Sequence, residues 1–267
     1  MSKIVDCITF FDNNFMFNLR YHILENYVDY FVVCESRYDH TGKKKKSNFI
    51  CKKKYKKNKI KYFLLKKPFP KKNNRWENQA LQREYLLKCT NFLSPNDYIF
   101  FSDPDEIMNP KLLKNFKLKK KYGIFLQNCY NYKLNLFNPF ESPWEGSRVA
   151  KKKDLKSINF LRQKVVRKNL KYNLFRIDKE KNIEVFKGGG WHFNNVMSVK
   201  DISLKLKTFA HKEFSSKKFT SPVIIKEKII KQIDLFNRGY KYQKVKLDKS
   251  FPNYVKNNKK KFKRYII

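Results

Sequence analysis

Three carboxylates crowd one short stretch of the chain, Ile99 to Pro110, IFFSDPDEIMNP: Asp103, Asp105 and Glu106. They follow a run of large apolar residues, in a chain where Lys and Arg outnumber Asp and Glu by 62 to 23. Carboxylates one residue apart, as in Asp103-Pro104-Asp105, can turn two oxygens toward one hard cation. Mg2+ or Mn2+ accepts such ligands while keeping waters and substrate phosphate oxygens, so the motif suits a metal-diphosphate site. It equally suits an acidic turn, in which Asp103 caps and Pro104, with its fixed φ, takes the second position of a type I turn.

Two other places offer chemistry. Glu35 closes the run YFVVCES, and a carboxylate at a strand end can accept hydrogen bonds from a nucleotide's ribose or base; pairing with Arg37 or a lysine is the plainer alternative. The segment GGGWHFNN, 188–195, joins three glycines that permit positive φ and close backbone approach to an aromatic and imidazole group, Trp191, His192 and Phe193. An aromatic face binds sugar rings, and a histidine can ligate a metal or move a proton. A tight hairpin and a satisfied core histidine would explain the same residues.

The elements that must position these groups are legible from period and composition. Residues 3–11 predict a strand, 15–27 a helix, VDYFVVCES a second strand, KIKYFLL a third, RWENQALQREYLLKCTNFL a helix, and DYIFF a fourth strand that delivers the acids. Such alternation predicts a Rossmann-like, mainly parallel sheet flanked by helices, whose ligands gather beyond the carboxyl ends of the strands. Asp12, Glu35 and Asp103 to Glu106 all follow strand ends and are expected to border one cleft. For the second half the sequence predicts a mixed α/β region: a strand in KYGIFLQNCYNYKLNLF, a strand-bearing loop in SPWEGSRVAKKKDL, a pair of short strands over 171–187, and helices near 198–210 and 221–238. One domain over 1–245 is expected, with residues 246–267 as a basic tail that frays into solvent.

The length of 267 residues and the 41% hydrophobic content support a substantial core. No window is apolar enough to span a bilayer, and the N-terminal apolar run is short and broken by Asp6, so neither a transmembrane helix nor a signal peptide is expected. Five cysteines without CxxC spacing predict free, mostly buried thiols in a reducing compartment. The formal charge of +39 is accounted for largely by a Lys-, Asn-, Ile- and Phe-rich coding bias, yet its field draws in anionic ligands. It allows peripheral contact with an anionic membrane. No zinc-finger, RNP-like or helix-turn-helix pattern accompanies it, so no specific nucleic-acid partner is expected.

Four stretches in order, VDYFVVCESRYDHTG, RWENQALQREYL, NDYIFFSDPDEIMNP, and GGGWHFNN followed by SLKLKTFAHKEF, resemble glycosyltransferase family 17, the β-1,4-mannosyl-glycoprotein β-1,4-N-acetylglucosaminyltransferases. The resemblance implies a GT-A-like fold, a divalent metal (Mn2+ or Mg2+), a UDP-sugar donor (UDP-N-acetylglucosamine), a glycan or polysaccharide acceptor, and transfer with inversion. Position by position it makes Asp103 and Asp105 metal ligands, Glu106 a brace for the loop, Glu35 and Asp12 residues that face the donor, and Trp191 part of the donor pocket. A late histidine completes the metal shell in GT-A-like enzymes, which implies His192, with His211 as the alternative. Two departures stand out: Met108-Asn109 precedes Pro110 where the family has proline directly after D-E-I, and the first loop offers Asp12-Asn13.

The implied mechanism has an acidic base take a proton from the acceptor hydroxyl as it attacks the anomeric carbon, with Glu145 and Asp201 as candidates. Without the anchor and stem of a Golgi enzyme, a cytoplasmic enzyme of microbial or viral origin is expected. The competing expectations are transfer of a different nucleotide sugar in surface polysaccharide synthesis, and a non-enzymatic basic protein that binds nucleic acid or anionic lipid.

Overall fold

A computed structural model describes residues 2–173 and 175–267. Its first half follows the predicted alternation: β1 (Ile4–Phe10), α1 (Asn14–Leu24), β2 (Tyr30–Ser36), β3 (Ile60–Leu65), α2 (Arg75–Lys88) and β4 (Tyr98–Ser102). These four strands are parallel in the order β4-β1-β2-β3. Side chains on β1 alternate between two cores. Ile8 and Phe10 pack with Met16, Phe17 and Leu19 of α1, while Val5 and Cys7 pack with Leu86 of α2. The helices therefore cover opposite faces, and the strand order reverses between β1 and β4. A crevice opens at such a point beyond the carboxyl ends. Asn13 caps α1 by accepting from Met16 N–H, and Asn74 and Glu77 form a capping box at the start of α2.

The second half extends the sheet as a mixed one: β5 (Glu106–Met108), β6 (Tyr122–Asn131), β7 (Leu136–Phe137), β8 (Trp144–Lys151), α3 (Ile158–Gln163), β9 (Ile183–Asn194), α4 (Val199–Thr208), α5 (Lys217–Thr220), α6 (Pro222–Lys231), β10 (Gln243–Lys244) and α7 (Asn253–Asn257). β8 joins the halves, running antiparallel to both β4 and β6, and β9 lies parallel to β6 and antiparallel to β5.

Two expectations fail here. The pair of short strands over 171–187 is absent among the described residues, and Leu174 lies outside them; instead one long strand, β9, starts at Ile183 and runs through all three glycines. The glycines do not turn a hairpin. They make a bulge, in which β9 advances from Phe186 to Gly190 while β6 advances only from Phe125 to Gln127. A Cβ at Gly190 (φ +130°) would lie 2.1 Å from the Ile107 carbonyl oxygen, so the glycine serves backbone approach to β5 rather than to a ligand. The C-terminal segment, in turn, is packed rather than frayed: Phe251, Val255 and Phe262 are buried in the same core as α1. Its lysines point outward while its apolar residues go in.

The cysteines are free as expected, four buried and Cys51 exposed. Among the described residues no helix is long and apolar enough to cross a membrane.

Candidate active site

The acids lie where β4 stops. Asp103 to Glu106 form a turn closed by the Glu106 N–H donating to the Asp103 carbonyl at 3.0 Å, with Pro104 second, and β5 begins at once. Glu106 turns inward and is fully buried. It accepts from Arg162 Nη2 (2.7 Å), from Trp144 Nε1 (2.8 Å) and from the Asp103 N–H (3.0 Å), so it braces the loop. Its own carbonyl accepts from Arg20 Nη1 at 2.6 Å, and Arg20 forks onto Asp6 of β1. Through this chain of buried charge-assisted bonds, β1, α1 and the acidic loop are fixed to one another.

Strand register brings His192 to the same place. On β9 it stands opposite Glu106 of β5 and Cys129 of β6. Its Nε2 lies 3.5 Å from Asp105 Oδ1, its Nδ1 3.6 Å from Cys129 Sγ, and the Trp144 ring covers it at 4.8 Å. Lys205, one turn beyond Asp201 on α4, reaches Asp105 Oδ2 at 3.3 Å and also the side-chain oxygens of Asn194 and Asn195. Burial works against ionisation of Asp105, but Lys205 and His192 outweigh it and hold the carboxyl well below its usual range. Burial likewise disfavours the His192 cation, and Cys129 and Asp105 reverse the balance, raising it above an ordinary imidazole.

Asp103 is engaged differently. Its Oδ2 accepts from Arg162 Nη2 at 2.7 Å and its Oδ1 from Arg83 Nη2 at 3.4 Å. These guanidiniums overcome the cost of burial and keep it ionised. Among the described residues no three His, Cys, Asp or Glu side chains converge as a metal site. The expected ligand set of Asp103, Asp105 and His192 is therefore not assembled. Asp105 and His192 do fit: an oxygen and a nitrogen 3.5 Å apart can share one divalent ion. Asp103 does not, because arginines hold both of its oxygens.

Several other expected residues lie elsewhere. Glu35 is fully buried and does not face the crevice; it ties down the 45–49 loop, accepting from Lys45, the Asn48 and Phe49 N–H groups and Tyr62. Trp191 alternates away from His192 into the core, where its Nε1 donates to the Ser250 carbonyl, so it is Trp144 that covers the imidazole. The Glu145 carboxylate is engaged by Arg148 and by the side chain and N–H of Arg167. His211 pairs with Glu213 at the surface.

Asp12 lies just past the end of β1 and senses the charge of Asp201 on α4. Burial, then the charge of Asp201, raises the Asp12 carboxyl, with Lys45 and Lys205 pulling the other way. Asp201 also belongs to the start of α4, where it accepts from the Ser198 hydroxyl at 2.6 Å.

Arg83, Trp144, Arg162 and Lys205 are the site residues that sequence reasoning missed. One signal was available for Arg83. Asn78, Gln82 and Arg83 are buried polar residues on α2, where a helix packed on a sheet would show apolar ones.

The family model for glycosyltransferase family 17 matches residues 1–266. The chain belongs to glycosyltransferase family 17. As a family 17 protein it is a glycosyltransferase, an activity that implies a sugar donor and an acceptor. A comparison with curated proteins gives no match. Among solved structures, one described as a glucose-1-phosphate thymidylyltransferase from Bacillus anthracis in complex with sucrose is similar over 70% of this chain and 87% of that one, at 10% identity and a TM-score of 0.34.

Proposed function

We propose that this glycosyltransferase moves N-acetylglucosamine, or a closely related sugar, from a UDP-sugar to a hydroxyl of a glycan acceptor, with inversion. The observation that carries this reading is the meeting of Asp105 and His192 at the carboxyl end of β4, beside Lys205, in a chain of family 17. The fold suits a GT-A-like donor site, since the crevice lies where the strand order reverses.

The donor's diphosphate is drawn toward a cationic crevice wall. Arg83 and Lys205 lie on its α2 and α4 sides, and a hollow lined by Arg37, Lys44, Lys45, Lys46 and Ser47 lies beside the loop that Glu35 holds. A Mn2+ or Mg2+ ion held by Asp105 and His192 would offset the charge that builds on the departing UDP. Glu106, Arg162 and Arg20 keep Asp105 in position against the pull of its cationic neighbours. Trp144 keeps the imidazole oriented and dry on one side.

On the acceptor side are Asp12 and Asp201, and burial first, then the charge of Asp201, raises the proton affinity of Asp12. We assign the general base to this pair, because a base works best when its affinity is lifted toward the operating pH. Glu145 is not carried forward, since Arg148 and Arg167 occupy it.

The test is a panel of nucleotide sugars with Mn2+, read by release of the nucleoside diphosphate and by linkage analysis of product. UDP-N-acetylglucosamine should give the highest rate. Release from a different nucleotide sugar alone would reassign the donor, and release from none would overturn the proposal.

A further inference from the structure

Arg83 is a buried cation with too few partners. It is 4% exposed, and a guanidinium carries five N–H donors. Among the described residues its one hydrogen bond is the 3.4 Å contact from Nη2 to Asp103, and its buried Nε has no acceptor. The ring of Phe101, 5.7 Å away, gives it a face to rest on but no acceptor. Arg162, on the other side of Asp103, uses both terminal nitrogens, donating to Asp103, to both oxygens of Glu106 and to the Glu145 and Gly146 carbonyls. Arg162 thus fixes Asp103 in place, while Arg83 keeps donors to spare beside the crevice. A buried charge in this state is costly unless an anion completes it, and the planar fork of arginine matches phosphate oxygens.

We propose that Arg83 binds the diphosphate of the donor, and that Asp103 is the counter-ion which Arg83 exchanges for phosphate oxygens, not a metal ligand. The proposal rests on the donor reading above. It gives the first acid of the D-x-D pair a different task from the second: Asp103 holds an arginine ready, and Asp105 faces His192 and Lys205.

The experiment is calorimetric binding of inorganic pyrophosphate and of UDP to the full chain in EDTA, for wild type, Arg83→Gln, Arg83→Lys and Asp103→Asn, with thermal melting as the fold check. Arg83→Gln should weaken both probes by about tenfold or more, the worth of charge-assisted hydrogen bonds. Arg83→Lys should recover part of the loss, since it keeps the charge without the fork. Asp103→Asn should tighten both probes about threefold, because the competing anion is gone. On adding Mn2+, Asp103→Asn should keep the wild-type gain in UDP affinity.

The proposal is overturned if folded Arg83→Gln binds both probes like wild type, or if Asp103→Asn loses the Mn2+ gain. Should Arg83→Gln not fold, Arg83→Lys binding unchanged or Asp103→Asn binding more weakly in EDTA overturns it equally. Wild type that binds pyrophosphate but no nucleoside diphosphate would leave Arg83 a diphosphate ligand and sink the donor reading; wild type that binds neither would sink both.

Discussion

His192 Nε2 lies 3.5 Å from Asp105 Oδ1, held there by the pairing of β9 with β5, while Asp103 beside it faces two arginines. The two acids of one short motif therefore answer differently to a divalent ion. Mn2+ should raise the thermal midpoint of the wild-type protein, because an ion that binds only the folded chain stabilises it by mass action. Asp105→Asn and His192→Gln should abolish that rise, and Asp103→Asn should keep it. Differential scanning fluorimetry at a series of Mn2+ concentrations reads all three.

Asp12 makes a prediction about pH. Its folded carboxyl is raised, first by burial and then by Asp201. A group raised on folding contributes stability that is full below its unfolded value, about 3.9, and is lost as pH climbs through the folded value. Asp12→Asn removes that loss, so the variant should be more stable than wild type at neutral pH and flatter across the acid range. Sugar transfer should nevertheless fall by about a hundredfold or more, the usual contribution of a general base. Melting curves from pH 3 to 7, with rates on the same preparations, check both halves.

Glu106 is a brace, and its removal should be felt in stability. The carboxylate is fully buried under Arg162, Trp144 and the Asp103 N–H. Glu106→Gln breaks the fully buried half of the Arg162 ion-pair network, leaving Asp103 as its remaining counter-charge, and should cost about 3–5 kcal/mol, measured as a shift in the denaturant midpoint.

The first half of the fold was legible because its signals are local. Buried parallel strands are continuous apolar runs, helices show their period, and an acid at the end of such a run, like Asp103, has to lie at the crevice. Residues placed by distant pairing were not legible. Trp191 and His192 are neighbours in sequence, but strand alternation sends one to Ser250 and the other to Asp105, and nothing local tells which. The glycines look like a loop because the reasons for two of them lie on other strands, Gly189 against the backbone of Phe125 and Leu126 and Gly190 against the carbonyl of Ile107. Arg83, Arg162 and Lys205 are hidden among 62 basic residues, and the lysines after Phe251 mask the apolar residues that anchor the C-terminal segment.

The glycines yield a test by contrast. Gly190→Ala would drive a Cβ into the Ile107 carbonyl at a φ of +130°, whereas Gly188, at +59°, has open space around it. Gly190→Ala should part β5 from β9, lower the melting temperature sharply and abolish transfer. Gly188→Ala should cost only about 1 kcal/mol of backbone strain and retain activity. Thermal melting and donor turnover on the two variants decide between a structural glycine pair-specific in this way and one that simply loosens a loop.

The central claim is that the crevice at the end of β4, through Asp105, carries out sugar transfer. It is tested most directly by Mn2+-dependent release of UDP from UDP-N-acetylglucosamine by wild type and by Asp105→Asn, both shown to be folded. The account predicts release by wild type that is suppressed by EDTA, and at least about a hundredfold less by the variant. Wild-type rates from folded Asp105→Asn would contradict it.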